Sequence, residues 1–172
     1  MNRQILCTLL RKLIGPFFLL AFLLIFHSQV KAQEKPPRPI TVTVSTAQHL
    51  RFGSFIQAGV HGTVTVTYDG FRTSTGSIIL PNMSSIVSPA LFIVDAEPGT
   101  HITILNGPTA TLTGSNGGTI TLELGNSNVQ NSFVTNSQYT EVFIGGTLTI
   151  GSLMANPGGF YSGSFQVMFI QE

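Results

Sequence analysis

The chain has 172 residues, of which 42% are hydrophobic and only 9% charged, with a formal net charge of +1. That length suffices for one domain with a real core. The basic residues cluster early. From position 33 onward Lys35, Arg38, Arg51 and Arg72 face seven acids, a net charge of −3, which argues against nucleic acid as a partner. Cys7 is the only cysteine, so the chain beyond residue 32 needs no disulfide and offers no thiol chemistry.

The first element is a targeting segment. Arg3, Arg11 and Lys12 form a basic region ahead of the apolar run Leu13 to Phe26, and Val30-Lys31-Ala32 places small residues where a signal peptidase reads. The reading is a secretory signal peptide over 1–32, cleaved between Ala32 and Gln33. The apolar run is short for a membrane span and carries Pro16, so no membrane span is expected after cleavage. Residues 33–39 (QEKPPRP) form a proline-rich leader, extended or disordered.

A single β domain is expected over 40–172. Ile40 to Ser45 alternates Ile40, Val42 and Val44 against hydroxyl residues, as a half-buried strand does. Gly62 to Asp69 alternates in the same way, with Val64, Val66 and Tyr68 on one face and Asp69-Gly70 as the turn. Further strands are expected at Gly76 to Leu80, Ala90 to Asp95, His101 to Leu105, Thr109 to Thr113 and Thr119 to Leu124. Gly125 to Gln138 reads as a long Asn/Ser-rich loop that returns Phe133 to the core. The last third holds two alternating runs around Asn156-Pro157-Gly158-Gly159, one with Val142, Ile144, Leu148 and Ile150 inward, the other with Tyr161, Phe165, Val167 and Phe169 inward. The two runs are expected to pair antiparallel and close the domain. No helical period occurs after residue 32, so the fold class is all-β, an antiparallel sandwich or barrel.

The order and combination of several local patterns resemble a known family. These are Leu50-Arg51-Phe52-Gly53, Gly62 to Val66, Ala90 to Val94 before Pro98-Gly99, Ile144 to Ile150 and Gly159 to Val167. Together they look like an uncharacterised family of secreted bacterial envelope proteins, a domain of unknown function similar to fimbrial major subunits and spore-coat-like pilins. The resemblance covers about Ile40 to Ile170. It implies an immunoglobulin-like β-sandwich, export to the periplasm, cell surface or medium, and no catalytic residues. The cysteine pair of many pilins is absent, which weighs against chaperone-assisted assembly.

No residue constellation points to an enzyme, a metal or a cofactor. His49, His61 and His101 lack ligand spacing and read as surface histidines. Asp69, Asp95 and Glu97 read as solvated turn acids, and there is no G-x-S-x-G elbow. Repeated T-x-T pairs can order water or bind a glycan, but threonine is also an ordinary exposed strand residue, and no fixed repeat runs along the chain. Asn82-Met83-Ser84 fits a glycosylation acceptor. The sharpest mechanism lies in the arm Ile40, Val42 and Val44, which either pairs within its own domain or adds to the sheet edge of another subunit. The expected function is a secreted, non-enzymatic structural or adhesive component of the bacterial envelope, partnered by itself or other envelope proteins. The alternative is an exported binding module for a glycan or a protein.

Overall fold

A computed structural model describes residues 36–45, 47–81 and 85–172. The expected signal peptide, its expected cleavage site at Ala32 and Gln33, and Asn82-Met83-Ser84 lie outside the described residues. Residues 36–40 carry no regular structure. Arg38–Glu172 form one compact unit.

The described residues form strands and turns without a helix. The strands are β1 (Thr41–Val44), β2 (Arg51–Phe52), β3 (Ile56–Val66), β4 (Arg72–Ile79), β5 (Val87–Ser88), β6 (Ala90–Asp95), β7 (His101–Asn106), β8 (Ala110–Gly114), β9 (Thr119–Ser127), β10 (Ser132–Val134), β11 (Tyr139–Ile150), β12 (Tyr161–Ser162) and β13 (Val167–Gln171). Each of their pairings is antiparallel. An eight-stranded sheet runs β1-β6-β11-β9-β8-β12, with β3 also on β11 and β4 on β3. A three-stranded sheet runs β10-β7-β13, and β2 pairs with β5.

The long strand β11 organises both cores. Its residues Tyr139 to Ile144 pair with β6, and Gly146 to Ile150 pair with β3. Across the other edge, β9 pairs with Ile144 to Thr149, with a bulge where Ile144 faces Ser127 and Gly146 faces Leu124. One parity of β11 is buried from Val142 to Ile150: Val142 and Ile144 enter a core with Phe92, Val94, Ile102 and Ile104, while Leu148 and Ile150 enter a second with Val64, Val66, Ile120 and Leu122. Leu50, Leu124 and Phe165 pack against both. At the crossing point a Cβ on Gly145 would overlap the Val66 carbonyl oxygen, so only glycine admits the close approach of β3.

Several expectations need correction. The last two runs do not pair: β11 is occupied on both edges, and β13 joins β7 instead. The second run is also not continuous. It breaks between β12 and β13 at Gly163, where a Cβ would come 2.7 Å from the Thr111 carbonyl oxygen. Its inward parity nevertheless holds for Tyr161, Phe165, Val167 and Phe169, all half-buried. The strand expected at Gly62 starts six residues earlier and ends at Val66, which leaves Tyr68 in the turn and exposed. The expected loop over 125–138 contains the end of β9 and all of β10, and β10 carries Phe133 onto the first core.

Candidate functional site

Over the second core the β8-β9-β11 sheet face is incompletely covered. Leu112, Ile120, Leu122, Leu148 and Ile150 floor a cleft of about 830 Å³. One wall is the backbone from Leu50 to Gln57, held by Arg72, whose Nη1 donates to the carbonyls of Phe52 (2.9 Å) and Ser54 (3.1 Å). The other wall is the segment from Leu153 to Phe165. Asn156 fixes that wall: its side chain is buried, accepts from the Gly151 N–H and donates to the Thr119 carbonyl of β9. Tyr161 closes it with a bond from its hydroxyl to the Pro157 carbonyl, 2.7 Å. Ile86, Leu153 and Phe160 stand at the rim largely exposed, Phe160 at 89%. Volume and lining are those of a binding cleft. Its charged lining residue is Arg51.

The arm residues Ile40, Val42 and Val44 lie along the edge of the eight-stranded sheet. Thr41–Val44 pair with Asp95 to Phe92 of their own chain. Ile40 and Val42 pack on the first core, whereas Val44 is 54% exposed. The Arg38–Asp95 ion pair (3.1 Å) and the bond from Ile40 N–H to the Gln171 side chain (3.2 Å) tie the arm down.

The threonine pairs gain meaning only across strands. Thr75, Thr63, Thr149, Thr121 and Thr111 are successive register partners on β4, β3, β11, β9 and β8. They make one row across five strands, roughly 19 Å at the usual strand spacing. Thr73, Thr65 and Thr147 begin a second row that ends at Glu123. Two hydroxyl pairs close within the rows, Thr63–Thr75 at 2.6 Å and Thr65–Thr147 at 2.9 Å. The chain order of these residues follows the sheet topology, so no fixed sequence period announces the rows.

The three histidines separate. His49 is exposed in the loop before β2, and His61 is exposed on β3. His101 instead lies at the middle strand of the β10-β7-β13 sheet with both ring nitrogens engaged. Its Nδ1 meets Glu172 Oε2 at 2.7 Å, and its Nε2 meets Ser132 Oγ at 3.1 Å. Thr103 donates to the other Glu172 oxygen at 2.6 Å. That hydroxyl bond, and then the charge of His101, hold the Glu172 carboxyl below its ordinary range. Asp69 is lowered too, by the Thr67 hydroxyl and the Phe71 N–H. Among the described residues no three His, Cys, Asp or Glu side chains gather as metal ligands do. Sequence reading passed over Ser132 and Glu172, because only the pairing of three distant strands brings them to His101.

Residues 42–170 match a single family over most of the chain. This chain belongs to DUF4402, a domain of unknown function. No curated protein and no solved structure matches it. The DUF4402 match begins at Val42 inside the β1 arm and ends at Ile170 inside β13, so it spans both cores, the cleft and the threonine rows.

Proposed function

We propose that this DUF4402 chain is an exported, non-enzymatic structural or adhesive component of the bacterial cell envelope, an immunoglobulin-like sandwich that associates with copies of itself by exchanging its first strand. The carrying observation is the position of β1. It is an edge strand, held to β6 over four register pairs, and it follows a proline-rich stretch that gives it reach. A strand so placed makes the same main-chain bonds and fills the same pockets on a neighbouring copy, at little cost beyond opening its own edge. Subunits linked in this way form open chains.

The second reading, a binding module, draws support from two other observations. The apolar cleft suits a protein segment, and the threonine rows present a neutral, repeating set of hydroxyls to a glycan. Light scattering and thermal melting of protein starting at Gln33, beside protein starting at Ala47, separate the readings. Strand exchange predicts concentration-dependent polymers for the longer form and an unstable monomer for the shorter, rescued by a peptide spanning Ile40 to Thr46. Two stable monomers would contradict exchange and leave the binding module.

A further inference from the structure

We propose that Ser132 is an activated hydroxyl and the acceptor site for an acyl group delivered as an ester. A simple ion pair engages one imidazole nitrogen, but His101 uses both, with Nδ1 on a carboxylate and Nε2 on a serine hydroxyl. The Glu172 contact places the imidazole proton on Nδ1 and leaves the Nε2 lone pair facing Ser132 Oγ, the arrangement in which a histidine removes a serine proton.

The surrounding sheet holds all three groups in place. Glu172 N–H donates to the His101 carbonyl at 3.0 Å, which continues the β13–β7 ladder and seats the carboxylate beside the ring. Thr103, two residues along β7, fixes the second carboxylate oxygen. Ser132 begins β10, an edge strand. The bonds from Thr135 N–H to Thr100 and from Ile104 N–H to Asn131 set the alternation along β10, so the Ser132 N–H turns away from β7 toward the open edge. It is a donor available to the oxyanion that forms when Oγ attacks a carbonyl.

In the step, Ser132 Oγ bonds to the carbonyl carbon of an ester as Nε2 takes the hydroxyl proton. The tetrahedral centre collapses, the bond to the leaving oxygen breaks, and the imidazolium returns the proton to that oxygen. The products are an O-acylserine and an alcohol. The site is open to solvent and lies on a sheet face, which admits an acyl donor of any size. Ser132 and His101 act on the reacting atoms, and Glu172 is a positioning residue.

The test uses the mature protein with p-nitrophenyl acetate and locates added acetyl groups by peptide mass. A positioned general base accelerates such a step by about 10²–10⁴, so Ser132 is expected to label at least about 100-fold faster than the other exposed serines. His101→Ala should bring Ser132 to the level of those serines, and Ser132→Ala should remove the fast label. Glu172→Gln should slow labelling and Glu172→Asp should restore part of it, each with a melting temperature measured alongside to show that the sheet persists. Label spread over serines by exposure alone, or label resting on His101 itself, would overturn the proposal.

Discussion

At the scale of single residues, two side chains make the account quantitative. Phe165 packs against both cores but is only half-buried. Fully buried Phe→Ala changes cost about 3–5 kcal/mol, so Phe165→Ala should destabilise by about 3 kcal/mol or less and leave a folded domain. Urea unfolding reads this directly, and complete unfolding in buffer would contradict it. Glu172 carries a pH signature. Its folded-state carboxyl titrates below its ordinary value of 4.5, chiefly through the Thr103 hydroxyl. A group depressed in this way stabilises above its unfolded pKa, and that contribution is lost as pH falls through the folded value. NMR titration should therefore place the Glu172 midpoint below 4.5, and Thr103→Val should return it toward that value. An unmoved midpoint would remove Thr103 from the site.

At the scale of elements, β11 is the strand the others depend on. It is flanked by β6 and β3 on one edge and by β9 on the other, and it supplies buried residues to both cores. Gly145 lies where those neighbours change over. A side chain there meets the backbone of Val66 and Thr67, which cannot yield without parting β3 from β11. Gly145→Val should fail to give soluble folded protein, whereas Gly158→Val, at a turn with open space around it, should melt close to wild type. Equal behaviour of the two variants would show that the β3–β11 approach is not tight.

The same elements show how far the sequence could be read. Alternation located β1, β6, β7 and β8 to within a residue, and it fixed the inward faces of β9, β11 and β13, because a two-residue period is a local property. Pairing is not local. Nothing within 140–172 reveals that β11 is already flanked on both edges, so the terminal hairpin was the natural but incorrect reading. The two-residue strands β2 and β5 were missed, since so short a run carries no period. The extension of β3 to Ile56 was hidden by its bulge between Gln57 and Gly62 and by its exposed Ile56 and Val60. The threonine rows and the Ser132–His101–Glu172 contact arise from register between strands far apart in sequence, so spacing along the chain could not disclose them.

At the scale of the whole molecule, assembly turns on whether β1 stays with its own β6. Residues 33–172 contain no cysteine, so introduced ones report cleanly. Thr43 and Ile93 are register partners across β1 and β6, within the span that a disulfide accepts. Protein carrying Thr43→Cys is mixed with protein carrying Ile93→Cys, incubated at rising concentration and oxidised. The doubly substituted chain serves as the intramolecular control. Strand exchange predicts a covalent heterodimer in the mixture, its amount rising with concentration. Closure within the doubly substituted chain, with no cross-link between the two single variants, would contradict exchange and leave β1 as a strand of its own domain.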